Sequence, residues 1–70
     1  MDRNAISRNI STRMHAAGLS RKELAIAIDI EEMTMERWLA GTRQPTVYGL
    51  WRISKVFGCT MDDLVEGIEG

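Results

Sequence analysis

The amino-acid sequence predicts an all-α fold built from five short helices. Apolar residues recur three and four positions apart in five successive segments, and glycines fall where those segments end. No five-residue stretch has the alternation of apolar and polar residues that a half-buried strand requires. The chain of 70 residues is 44% hydrophobic, which is enough for one compact core. We therefore predict a single domain over residues 1–70.

The first two helices are predicted from an apolar stripe and a capping pattern. The stripe of the first helix consists of Ile6, Ile10, Met14 and Ala17. Gly18, a residue type common just after a helix, ends it. Ser20 and Glu23 have the spacing of a capping box, which begins the second helix. Asp29 follows that helix and tolerates the left-handed conformation of a tight turn.

The remaining helices are bounded by similar signals. A third helix is predicted from about Glu32 to Leu39, with Gly41 after it. Pro45 prevents its continuation, and Thr46 is suited to cap a fourth helix that Gly58 ends. A second capping box opens the fifth helix, whose apolar residues have helical spacing. The residues of this box and helix are Thr60, Met61, Asp63, Leu64, Val65 and Ile68.

Composition excludes several classes of function. Cys59 is the only cysteine and His15 the only histidine, so we predict no disulfide, metal centre, catalytic triad or cofactor, and no enzyme. No apolar run is long enough to cross a bilayer, and the N-terminus does not resemble a signal peptide. We therefore expect a cytoplasmic protein without a membrane partner or an evident small-molecule ligand. The net charge is −1, distributed as +3 over residues 1–28 and −4 over residues 29–70.

Residues 21–40 have the outline of a helix-turn-helix. Two helices that cross steeply need a small residue at their contact, which Ala25 supplies, and a turn residue able to take positive φ, which Asp29 supplies. The second helix then turns its large apolar residues inward. The residues left on its open face are Glu32, Met33, Glu36 and Arg37.

Three stretches carry a resemblance to a known family: GLSRKELA at 18–25, MERWLAGTRQPT at 35–46 and VFGCTMDDLVEG at 56–67. With these, residues 6 to 67 resemble the lambda-repressor/Cro-type helix-turn-helix family. The resemblance implies a DNA-binding domain whose third helix enters the major groove, usually as a homodimer on a two-fold operator. The family commonly pairs an Arg on helix 1 with a Glu after the Trp, where this chain has Met14 and Leu39. Because both partners are apolar together, no buried charge is left alone.

The resemblance and the residue chemistry together predict how the open face contacts double-stranded DNA. Arg37 can donate hydrogen bonds to guanine, and Met33 can contact a thymine methyl group. Glu32 and Glu36 can accept hydrogen bonds from the cytosine amine. Phosphate contacts are predicted for three flanking residues: Arg21, Thr42 and Arg43. These contacts predict a sequence-specific transcriptional regulator, of the kind of a small bacterial or phage repressor.

The three glutamates of EEMTMERWLAG, residues 31–41, support an alternative function. Because carboxylates repel phosphates, the acidic helix is also compatible with an interaction module that binds another protein, such as an antitoxin-like or anti-repressor partner. A weak homodimer is also predicted. Its interface would comprise Trp51, Met61, Val65 and Ile68, with a core position for Trp51 left as an alternative.

Overall fold

The computed structural model describes residues 4–66, which form five α-helices joined by short connections. Helix α1 spans Ala5–Ala17, α2 Arg21–Ala27, α3 Glu32–Ala40, α4 Val47–Phe57 and α5 Met61–Val65. No β-strand occurs between residues 4 and 66. The predicted all-α fold with five helices is confirmed. None of the helices in this described part is long and apolar enough to span a membrane.

The core takes one fully buried side chain from each of the five helices. These side chains are Ile10, Leu24, Met35, Ile53 and Leu64. Around them, Met14 is buried and Leu39 is half-buried against the same cluster. Met14 and Leu39 therefore both contribute apolar atoms to the core, and neither position holds a buried charge.

Both predicted capping boxes form. The Glu23 backbone N–H donates to Ser20 Oγ at 3.1 Å, and the Ser20 N–H donates to Glu23 Oε1 at 2.9 Å. Thr60 and Asp63 make the same reciprocal pair at 3.0 and 3.1 Å. Accepting hydrogen bonds from the Ser20 backbone and hydroxyl lowers the pKa of Glu23, and the Thr60 backbone and hydroxyl lower the pKa of Asp63.

Acidification is therefore expected to weaken the fold through these two boxes. Folding lowers the pKa values of both carboxyl groups, so the two carboxylates stabilise the fold at pH values above their ordinary pKa values of 4.5 and 3.8. This stabilisation is lost as the pH falls through the lowered pKa values of the folded protein. Thermal unfolding measured from neutral pH to about pH 2 should show this loss. A Glu23→Gln, Asp63→Asn variant, which removes both titrating carboxyl groups, should lose less stability on acidification than the native protein. An equal loss in both proteins would exclude the boxes as the cause.

Three local predictions are corrected by the structure. Ala17, predicted as part of the apolar stripe, is exposed at the last position of α1, although Met14 in the same turn is buried. Trp51 is 45% exposed, so the alternative of a core position for it is wrong. The fifth helix ends at Val65, because Glu66 has the non-helical angles φ −59° and ψ 133°. Ile68, predicted to continue this helix, lies outside the described residues.

The end of α5 is fixed to α1 by a side chain that the sequence did not single out. Asn9 Nδ2 donates to the backbone oxygens of Leu64 at 2.9 Å and Glu66 at 2.7 Å. These bonds satisfy carbonyl groups that a helix C-terminus leaves without intrahelical partners. The short α5 therefore gains support from α1 that its own five residues do not provide.

Candidate nucleic-acid interface

The turn between α2 and α3 fixes the direction of the third helix. Ala25 is buried in the core cluster, as predicted for a small residue at the helix contact. Asp29 has φ 59°, and it is the one non-glycine residue with positive φ in the part that the structure describes. The N–H groups of Asp29 and Ile30 donate to the carbonyls of Ile26 at 3.2 Å and Ala25 at 3.0 Å. These bonds set the angle at which α3 leaves α2.

Helix α3 is anchored by its inner face. Met35 is fully buried, and Trp38 is buried against α4. A Cβ atom built on Gly49 would lie 2.5 Å from Trp38 Cη2, so only glycine permits this approach of the indole to α4. The rigid ring and the absent side chain hold the two helices at a fixed separation. The outer face of α3 is thereby presented to solvent in one orientation.

The open face of α3 contains the four residues predicted to contact bases. Glu32, Met33, Glu36 and Arg37 are all exposed, and Met33 keeps 58% of its surface accessible. Spacings of three and four residues place them on one side of the helix. Helix α3 begins after Glu31, an exposed N-cap residue whose side chain makes no capping hydrogen bond.

An arginine from α2 neutralises part of this acidic face. Arg21 Nη2 lies 3.1 Å from Glu32 Oε2, and Arg21 Nε donates to the same oxygen at 3.3 Å. Its third nitrogen, Nη1, lies 4.0 Å from Glu36 Oε1. The side chains of Arg21 and Glu32 are 45% and 46% exposed. An ion pair this accessible to water contributes about 0–1 kcal/mol, so it opens readily.

A polar cleft lies beside the open face, between α3 and the start of α4. It encloses about 270 Å³ and is lined by Thr34, Arg37, Trp38, Arg43, Gln44 and Thr46. Neither Arg37 nor Arg43 forms an ion pair with an acidic side chain in residues 4–66. Thr46 caps α4, accepting from the Gly49 N–H at 2.9 Å. Two arginines and a helix N-terminus create positive potential around the cleft, which suits an anionic group.

Comparison with protein families identifies this arrangement. A profile of the Cro/C1-type HTH DNA-binding domain matches residues 9–69. The chain belongs to this family. Proteins with such domains are DNA-binding regulators, and the predicted resemblance is confirmed. Comparisons with curated proteins and with solved structures found no significant match.

Two of the predicted phosphate contacts already have partners within this Cro/C1-type domain. Thr42 Oγ1 donates to the Arg37 carbonyl at 3.2 Å, and the Thr42 N–H donates to the same oxygen at 3.1 Å. Thr42 thus closes the C-terminus of α3. The guanidinium of Arg21 lies against the glutamates. Arg43, in the cleft beside Arg37, is the predicted phosphate contact that has no counter-charge within the described part of the chain.

Sequence reasoning missed three residues of the cleft: Thr34, Gln44 and Thr46 lie with the two arginines. Thr34 precedes Arg37 by three positions, so the helical period was the available signal. Gln44 and Thr46 flank the proline that precedes α4, and Thr46 was interpreted only as a cap. The pairing of Arg21 with Glu32 was also missed, because it crosses the turn over a separation of 11 residues.

The residues predicted to form a dimer surface are not all together in the Cro/C1-type domain. Met61 and Val65 are half-buried and pack against the core, which leaves part of each side chain accessible on α5. Trp51 lies on α4 in a groove whose lining includes no residue of α5. Ile68 lies outside the described residues.

Proposed function

We propose that this Cro/C1-type domain is a sequence-specific transcriptional regulator. It acts in the cytoplasm as a small repressor and inserts α3 into the major groove of a two-fold operator. The observation that supports this most is a pair of arginines that have no acidic partner among residues 4–66. Arg37 and Arg43 line one cleft at the edge of the open face of α3, next to the N-terminus of α4. That arrangement suits a groove edge and an adjacent phosphate.

Each exposed residue of α3 has a role in this proposal. Arg37 makes a bidentate contact to guanine O6 and N7, and Met33 contacts a thymine methyl group. Glu32 and Glu36 accept from cytosine amines. Because a carboxylate repels phosphate at every other sequence, the two glutamates lower general affinity and sharpen discrimination.

The phosphate contacts come from residues beside the helix. Arg43 binds a phosphate at the cleft, with the N-terminus of α4 adding favourable potential. Thr42 and Arg21 flank the same face. Arg21 reaches a phosphate when its exposed ion pair with Glu32 opens, at a cost of at most about 1 kcal/mol.

A second candidate function is supported by the acidity of the same face. Two carboxylates accompany Arg37 there, and the nearest additional cation, Arg21, is already paired with them. An interaction module of the antitoxin-like or anti-repressor type would use this face to bind a basic surface of another protein. Such a module would show no preferred DNA site.

Selection from a random duplex library tests the two functions against each other. A regulator is expected to enrich sequences with a shared two-fold motif containing guanine and cytosine positions. Its binding to unrelated duplex should weaken linearly in a plot of log affinity against log salt concentration. Absence of an enriched motif, with no binding even at low salt, would contradict the proposal and favour the interaction module.

Replacing Arg43 by alanine is expected to weaken binding to all duplexes alike. Losing one phosphate contact should reduce the slope of log affinity against log salt by about one unit. The selected motif should not change, because Arg43 does not read bases in this proposal. Lys22→Ala is the matched control, since Lys22 is an exposed cation of α2 that does not line the cleft. An unchanged slope for Arg43→Ala would exclude its phosphate contact.

We also propose a weak homodimer through α5, in which the accessible parts of Met61 and Val65 meet those of a second copy. Sedimentation equilibrium over a range of concentrations should detect it, and operator DNA should strengthen it. Val65→Asp should give a monomer with reduced operator affinity, provided that its circular dichroism remains native. A native protein that stays monomeric at every concentration, with and without operator, would remove this proposal.

A further inference from the structure

Helix α4 presents an ordered row of aromatic and cationic side chains on the surface. Its members are Tyr48, Trp51, Arg52 and Lys55, in which Trp51 and Arg52 each lie three or four residues from both Tyr48 and Lys55. Tyr48 is 62% exposed and Trp51 45% exposed. Large aromatic side chains this accessible are typical of interaction surfaces rather than of the remaining surface of a monomer.

Contacts within the row hold its members in place. The rings of Tyr48 and Trp51 are stacked with centroids 6.0 Å apart and planes at 23°. Arg52 lies over the Tyr48 ring at 5.6 Å and donates from Nη1 to the phenolic oxygen at 3.0 Å. Lys55 Nζ lies 5.5 Å from the Trp51 centroid. A surface ordered before binding loses less side-chain entropy when a partner arrives.

The row borders an apolar groove that has two positive charges at its edge. The groove encloses about 520 Å³, with Ala27 of α2 and Val56 of α4 among its lining residues. No Asp or Glu belongs to that lining among the residues that the structure describes, although residues 29–70 carry a net charge of −4. Arg52 and Lys55 thus form a cationic patch at this groove, in the part of the sequence that is acidic as a whole.

We infer that this face of α4 binds an acidic, amphipathic segment of another protein. Carboxylates of the segment pair with Arg52 and Lys55, while an apolar side chain enters the groove over Ala27 and Val56. None of the residues that line this groove lines the cleft between α3 and α4 or lies on the open face of α3. The segment therefore leaves the proposed DNA contacts accessible.

Two other occupants fit the chemistry less well. A second copy docking face to face would bring Arg52 and Lys55 of both copies together, and like charges oppose each other in such an interface. Single-stranded nucleic acid stacks its bases on open aromatic faces. Here Arg52 covers one ring and Lys55 the other, so bases would first have to displace both cations.

Selection from a displayed library of random peptides, with the intact protein as target, tests the inference. Enriched peptides are expected to carry acidic residues beside large apolar ones at helical spacing. Binding of one such synthetic peptide should protect Trp51, the exposed tryptophan of the two, from quenching by acrylamide. Arg52→Glu with Lys55→Glu should weaken binding at least tenfold, and Lys22→Glu, a charge reversal on α2, should leave it unchanged.

Several results would overturn the inference. These are the absence of enriched peptides, enrichment of basic or uncharged ones, and equal peptide binding to native protein and to the folded double charge reversal. Quenching protection by a single-stranded oligonucleotide in place of the peptide would assign the face to nucleic acid. Loss of self-association in Trp51→Asp, but not in Val65→Asp, would assign it to a second copy. Peptide binding is measured without DNA, so its outcome is independent of the search for an operator.

Discussion

Replacing Arg37 by alanine is expected to remove most of the preference for a selected site while leaving weak binding to unrelated duplex DNA. In the proposed complex Arg37 makes the bidentate guanine contact, which is worth about 1–3 kcal/mol of discrimination. Affinity for the selected site should therefore fall by roughly 5- to 150-fold. Binding to unrelated duplex depends on phosphate contacts, so its affinity should fall only by the small amount that the loss of one nearby positive charge causes.

The Arg37→Lys variant separates geometry from charge. Lysine keeps the positive charge but lacks the planar fork that matches guanine, so it should restore non-specific binding without restoring the preference. Arg37 is exposed and makes no ion pair with residues 4–66, so both variants should unfold at nearly the native temperature. Electrophoretic mobility shifts on a selected and a scrambled duplex provide the measurement. Equal loss on the two duplexes would identify Arg37 as a phosphate contact.

The helix boundaries were predictable because they depend on neighbours in sequence. Ser20 with Glu23 and Thr60 with Asp63 make their bonds within three residues, so their spacing alone specifies them. Asp29 is similar, because a tight turn restricts the residue types that take positive φ. The division of α3 into an inner and an open face also follows from periodicity.

Contacts between helices were not predictable in the same way. Two such contacts depend on how the helices cross, which local spacing does not specify. They are the approach of Trp38 to Gly49 and the hydrogen bond from Asn9 to Leu64. For the same reason the sequence led us to predict Arg21 as a phosphate contact and Glu32 as a base contact, without their mutual ion pair. The exposure of Trp51 likewise follows from the groove at α4 and α2, which forms only after those helices pack.

The ion pair between Arg21 and Glu32 changes the expected effect of the glutamates on DNA binding. With the pair closed, one cation is occupied and part of the acidic charge on α3 is neutralised. Arg21→Ala should therefore weaken binding to every duplex for two reasons. It removes a phosphate contact, and it leaves Glu32 and Glu36 without a counter-charge near the DNA backbone.

Converting Glu32 and Glu36 to glutamine should have the opposite effect on unrelated duplex. The change removes two negative charges with little change in side-chain size, and Arg21 then reaches its phosphate without the cost of opening an ion pair, so affinity for unrelated duplex should rise. Affinity for the selected site should rise less, or fall, because charged acceptors for cytosine amines are lost. The ratio of specific to non-specific binding should therefore drop.

The same double substitution in an Arg21→Ala background isolates the contribution of the freed cation. There the double substitution should raise affinity for unrelated duplex by a smaller factor, because no ion pair of Arg21 has to open, while the relief of phosphate repulsion remains. The double-mutant cycle compares four proteins: the native chain, the glutamine double variant, Arg21→Ala and the combined variant. Each is titrated calorimetrically against a selected and a scrambled duplex at several salt concentrations. If the double substitution raises affinity for both duplexes by the same factor, the glutamates do not read cytosine. If the native chain also has no selectable site, they serve a protein partner, as the interaction-module function predicts.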